Sequence, residues 1–140
     1  MRSLFIAPLL VALAIPAIAS AQPVVNESEG LWINPHDSVV VRTSSCAAKL
    51  CGWIVWANAE ALADARESGV RQLIGTELLQ DYHPTNAHSW SGTVFVPDLG
   101  RNISSQINQL SSNELKIKGC ILGGLICKSQ LWTRIDRVPQ

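Results

Sequence analysis

From residue 30 onward the chain is built of short apolar runs broken by turn signals roughly every ten positions, the spacing of an all-β fold. Leu31–Asn34 reads as a first strand, stopped by Pro35-His36-Asp37, and β-branched Ser38–Ser44 as a second. Gly52–Ala57 is apolar on both faces. A period of two puts Trp53 and Trp56 on opposite sides of it, so one at most faces an interior. The period then changes. Asn58 suits an N-cap, Ala59–Glu67 is rich in alanine, and Gly69 suits a helix stop, which predicts one short helix.

Leu73–Tyr82 returns to extended structure, with Gly75 marking a bulge. In Ser89–Val96 alternation sets Trp90, Gly92, Val94 and Val96 against Ser91, Thr93 and Phe95. Pro97-Asp98-Leu99-Gly100 is a turn. Arg101–Gln109 alternates Ile103, Ser105 and Ile107 with polar residues, and Glu114–Ile121 sets Leu115 and Ile117 against Lys116 and Lys118. The last hairpin reads almost symmetrically from Cys120 to Cys127 about Gly123-Gly124, a two-residue turn of type I′ or II′. That register makes Cys120 and Cys127 a hydrogen-bonded pair with Cα atoms about 5.5 Å apart. Lys128–Ile135 is the last strand. Eight strands, one helix and mostly hairpin connections predict an up-and-down antiparallel β-barrel, with a sandwich of similar strand count as the alternative.

The first 21 residues carry a different message. Arg2, the apolar run Leu4–Ile15 and Ala19-Ser20-Ala21 make a cleavable export signal, too short for a membrane span and not followed by a lipid-bearing cysteine. The expected division is residues 1–21 as signal peptide, 22–29 as a loose lead-in and 30–140 as a single domain. Periplasmic or secreted placement follows, with no transmembrane segment once the signal is removed. An oxidising compartment favours disulfides for the four cysteines. Spacing pairs Cys46 with Cys51 and Cys120 with Cys127, each pair astride a hairpin turn. A net formal charge of 0 points away from nucleic acid and anionic membrane.

The chemistry-bearing residues are sparse. His36, Cys46 and Cys51 offer metal-ligand types without a second pair, and export favours the disulfide, so no metal site or cofactor is expected. No nucleophile elbow, zinc-protease helix or phosphate-binding loop is present, and His36, His83 and His88 all sit beside turn residues. The chain is not expected to be an enzyme.

The segments Gly30-x-Trp32, Cys46…Leu50-Cys51-Gly52, Arg71-x-Leu73-Ile74-Gly75, Trp90-x-Gly92, Pro97-Asp98-x-Gly100, Leu115-x-Ile117-x-Gly119 and Gln130-x-Trp132-Thr133-Arg134, with Asp64, resemble the bacterial domain-of-unknown-function 2147 family. The resemblance implies an exported lipocalin-like barrel that holds small apolar molecules, without an established activity. It also implies a floor clamp, in which the Arg134 guanidinium stacks on the Trp32 indole at the narrow end, with Arg137 as the fallback partner. This chain departs from the family pattern where an acidic residue precedes the turn proline and a tyrosine follows the turn glycine: Val96 and Asn102 or Ile103 stand there. Cys120 and Cys127 look like an addition of this branch.

The functional expectation is a non-catalytic binding protein holding a small fatty or aromatic ligand among Trp32, Trp90, Val94, Ile103, Ile107, Leu115 and Ile117. Cys46–Cys51 is expected to brace a hairpin at the open end, and Cys120–Cys127 the last hairpin. The main alternative is a cell-envelope interaction scaffold with a filled barrel, meeting a protein partner through the apolar tip Leu122-Gly123-Gly124-Leu125. A hydrolase is the third possibility, resting on one of the three histidines.

Overall fold

The structure, a computed structural model, describes residues 27–140. The expected signal peptide and most of the lead-in lie outside them. Eight antiparallel strands close in sequence order into a barrel: β1 (Gly30–Ile33), β2 (Val39–Cys46), β3 (Lys49–Ala57), β4 (Glu77–Asn86), β5 (Ser89–Val96), β6 (Arg101–Ser111), β7 (Glu114–Ile121) and β8 (Ile126–Ile135). Each hairpin pairs over most of its length. The closing seam is short, because β1 is a four-residue strand that meets β8 only through Leu31–Ile135, Trp32–Arg134 and Ile33–Thr133.

The helix α1 (Ala59–Glu67) begins where Asn58 accepts the Ala61 amide through its side chain at 2.8 Å, leaving one orphan donor fewer at the first turn. It buries Ala65, which joins Ala57, Leu73 and Leu78 above the β3–β4 side of the barrel. Ser68 ties it to the β5–β6 turn by donating to the Asp98 carbonyl at 3.2 Å.

Several local expectations change. β4 starts at Glu77 rather than Leu73 and runs on through Pro84 to Asn86. Residues 73–76 instead form a turn against β3: the Gly75 amide donates to the Ile54 carbonyl at 2.7 Å, and the Ile54 amide donates to the Thr76 carbonyl at 2.9 Å. The bulge of this strand sits at Asp81 (φ 54), where the register with β5 slips, and not at Gly75. Trp53 and Trp56 share the outer face. Val41 pairs with Ile54 and Val40 with Trp56, so Val55 is an extra residue that shifts the alternation by one.

The lead-in is not loose where it is described. The Glu27 and Glu29 carbonyls accept from Arg134, and the Glu29 carboxylate accepts the Ser45 amide at 3.0 Å.

Both disulfides form, Cys46–Cys51 and Cys120–Cys127. Cys46–Cys51 bridges the β2–β3 hairpin, whose two-residue turn holds Ala47 and Ala48 at positive φ. That hairpin lies at the end where β1 begins, the end of the Trp32–Arg134 pair, so the bridge braces the sealed end rather than the open one.

The β7–β8 turn is four residues long, Leu122–Leu125, because Leu122, Gly123 and Gly124 all take positive φ and the last strand pair is Ile121–Ile126. The longer loop shifts the hydrogen-bond phase by one rung. Cys120 and Cys127 therefore occupy a close, non-hydrogen-bonded pair with Cα atoms 4.1 Å apart, not the wider pair expected from a two-residue turn.

Candidate functional site

The two ends of the barrel are built differently. At the end formed by the start of β1, the Arg134 guanidinium lies 4.2 Å from the centroid of the Trp32 indole. Trp32 and Arg134 are direct cross-strand partners, which sets their side chains on one face. Every arm of the guanidinium also has a carbonyl: Nε donates to Ser112 at 2.6 Å, Nη1 to Glu29 at 2.7 Å and Nη2 to Glu27. On the other side of the ring, the Trp32 indole N–H donates to the Thr43 hydroxyl at 2.9 Å, and that hydroxyl donates to the Ser28 carbonyl at 2.6 Å. Gly30 makes room for this. It sits at φ +147, and a Cβ there would stand 2.2 Å from Arg134 Nη1. With Trp32 buried and Arg134 half-buried, the stack contributes about 1 kcal/mol, and the carbonyl contacts fix the guanidinium over the ring.

Above that floor lies a packed core. Trp32, Val41, Leu50, Ile54, Leu79, Tyr82, Ile107 and Leu115 are wholly or almost wholly buried, with Trp90, Ile117 and Trp132 close behind. Tyr82 lies across Gly92, where a Cβ would come within 2.7 Å of the ring. Its hydroxyl and the Ser105 hydroxyl are both buried, and neither has a hydrogen-bond partner of ordinary geometry among the described residues. Burial pushes the Tyr82 phenol well above its ordinary value, and the Ser105 hydroxyl opposes that shift more weakly.

The other half of the wall is open. Val94, Val96, Ile103, Gly119 and Ile121 share the inner face with the core residues below them but keep partial exposure. On β8 the inward positions Ile126, Lys128 and Gln130 are exposed outright, because among the described residues no strand covers that side of β8 beyond Thr133. Ile103 folds over Gly119, its Cδ1 lying 2.7 Å from where a Cβ would be. α1 shelters the β3–β4 side of this end and reaches the β5–β6 turn through Ser68.

The seven expected lining residues therefore do not surround one chamber. Trp32, Trp90, Ile107, Leu115 and Ile117 belong to the packed core, and Val94 and Ile103 keep partial exposure in the open half. Two surface hollows, of about 360 Å³ near Glu77, Gln80, Phe95 and Asn102 and about 410 Å³ near Ile33, Ile135 and Val138, touch none of the seven. The tip residues Leu122 and Leu125 are exposed, at 66 % and 85 %.

Cys46 and Cys51 are bonded to each other, and His36 is exposed, so those three do not converge as ligands. Among the described residues no three histidine, cysteine, aspartate or glutamate side chains gather, and no helix is long and apolar enough to cross a membrane.

Sequence reasoning missed Tyr82 with Ser105. Ser105 falls on the inward stripe of β6 and was legible as a polar residue among Ile103 and Ile107. Tyr82 was not, since the bulge at Asp81 decides which way it points.

The profile of a family described as an uncharacterized protein conserved in bacteria, domain-of-unknown-function 2147, matches residues 30–134. The chain belongs to that family. No curated protein matches it. Among solved structures it is similar to protein HP1028 from Helicobacter pylori, whose title places that protein in the lipocalin family. The TM-score is 0.59 at 13 % identity, over 77 % of this chain and 82 % of the other. At that identity the likeness concerns the fold, and the architecture is lipocalin-like: an eight-stranded closed antiparallel barrel with one helix.

Proposed function

We propose that this member of the domain-of-unknown-function 2147 family is an exported, non-catalytic binding protein that holds a small hydrophobic molecule in the open half of its barrel. The observation that carries this reading is the partial exposure of inward-facing Val94, Ile103 and Ile121 above a floor that is sealed by Trp32 and Arg134. An apolar inner wall that stops short of being covered is what a fatty or aromatic ligand would cover, gaining about 25 cal/mol per Å² buried, less the cost of immobilising the ligand. The two disulfides support an oxidising compartment, in keeping with the export signal of residues 1–21.

The test is a native, non-reducing mass spectrum of mature protein purified from a periplasm. A small-molecule adduct that leaves on gentle activation is the expected result. A bare polypeptide mass, together with no binding of added medium-chain fatty acids or aromatic probes, contradicts the reading.

A second reading has its own observation. The tip Leu122-Gly123-Gly124-Leu125 is apolar and exposed, while the lower barrel is filled. An envelope scaffold would lose its protein partner when Leu122 and Leu125 are replaced by serine. A small-molecule binder would keep its ligand after that change.

A further inference from the structure

The barrel closes over only part of its height, and the remainder of β8 is an unpaired strand edge. Cys120 and Cys127 form a close, non-hydrogen-bonded pair, with Cα atoms 4.1 Å apart, which fixes the phase of the β7–β8 ladder. Counting from it, Ile126, Lys128, Gln130 and Trp132 direct their backbone groups to β7. Cys127, Ser129 and Leu131 direct theirs away. At Thr133 and Ile135 those outward groups meet β1, but β1 pairs with nothing beyond Thr133. Among the described residues, the N–H and C=O groups of Cys127, Ser129 and Leu131 therefore have no strand to bond. Every residue from Ile126 to Leu131 is exposed. Soluble proteins rarely leave so long an edge bare, because it is a template for another strand.

We propose that this edge pairs antiparallel with the same edge of a second copy of the chain, about a twofold axis at Ser129. The self-complementarity of the edge singles out that occupant and that register. With Ser129 opposite Ser129, and Cys127 opposite Leu131 twice, all the outward N–H and C=O groups of both edges find partners. Shifting the axis to Lys128 would set two like charges face to face. The Ser129 register instead places Lys128 opposite Gln130. It also lays Leu131, 50 % exposed in the single chain, against the partner's Cys120–Cys127 disulfide, and Ile126, 48 % exposed, against the partner's Trp132. An isologous contact of this kind closes after two copies and leaves no further edge to recruit a third. The inference does not rest on the ligand reading: an empty barrel would pair in the same way.

The mature protein tests it directly. It contains no free cysteine among the described residues, so an introduced one reports on its own neighbours. Ser129→Cys, on the twofold axis, is expected to give a covalent dimer under mild oxidation at least about tenfold faster than Glu60→Cys, an exposed position on α1 away from β8 and from both disulfides. Sedimentation of the unmodified protein is expected to show a concentration-dependent monomer–dimer equilibrium. Ser129→Pro removes a solvent-facing edge N–H, a change that edge strands tolerate, and is expected to sediment as a monomer with its thermal transition unchanged. A chain that stays monomeric up to about 1 mM, equal cross-linking of the two cysteine variants, or a dimer indifferent to Ser129→Pro would each overturn the proposal.

Discussion

The sealed end and the open half of this barrel use the same strands for opposite purposes. At the sealed end large side chains interlock: indole on guanidinium, a tyrosine ring over a glycine, and backbone carbonyls taken up by Arg134. In the open half the inner face is apolar on β5–β7 but carries Lys128 and Gln130 on β8, and among the described residues no strand lies beside that part of β8. The difference comes from one strand. β1 is four residues long where its partner is ten, so the seam is closed only beside Trp32 and Arg134. Packing is thereby concentrated at one end, and the inner wall is left partly uncovered at the other.

Core truncations should show the contrast most strongly. Trp32→Ala removes the floor itself and is expected to cost about 3–5 kcal/mol in denaturant unfolding. The paired truncations Ile107→Ala and Ile103→Ala sharpen the point. The first, in the packed half, should cost about 3 kcal/mol, and the second, half-exposed, about 1 kcal/mol. Equal costs would mean that the open half is packed as tightly as the floor.

The clamp can be isolated next. Gly30→Ala forces a methyl group against Arg134 Nη1 and places alanine at φ +147, at a cost of about 2 kcal/mol or more. The steric part of that cost should vanish in an Arg134→Ala background, which a double-mutant cycle measures.

How much of this was legible beforehand differs along the chain in the same way. Alternation in Ser89–Val96 and Arg101–Gln109 assigned faces correctly because those strands pair without a slip. Trp53 and Trp56 were misassigned, since one extra residue at Val55 inverts the parity and a bulge leaves no compositional trace there. The Cys46–Cys51 pairing was readable from spacing. Its place at the sealed end was not, because that depends on which end Trp32 closes. The Gly123-Gly124 turn was read as two residues when Leu122 also takes positive φ, a strained conformation that propensity argues against. The bare edge of β8 has a signal in the sequence: a first strand stopped early by Pro35 cannot cover a last strand twice its length.

A smaller effect separates the halves by pH. Tyr82 is the chain's one tyrosine, and burial holds its phenol in the neutral form. The unfolded chain ionises near pH 10 while the folded one does not, so the unfolded state binds fewer protons there. The stability contributed by the buried neutral phenol is complete below pH about 10 and is lost as pH rises beyond it. Tyr82→Phe should remove that alkaline slope. At neutral pH it should change stability by less than about 1 kcal/mol, since the hydroxyl it deletes has no hydrogen-bond partner. Smallest of all, Leu125→Ser at the exposed tip should leave unfolding within about 0.5 kcal/mol of the parent.

The division into a sealed floor and a receptive half is tested most directly by titrating isotope-labelled mature protein with lauric acid and following backbone amide shifts residue by residue. The account predicts saturable shifts at Val94, Ile103, Ile121 and Ile126, with Val41, Trp32 and Leu115 unmoved. Shifts centred on the floor residues, or none at all up to about 1 mM ligand, would contradict it.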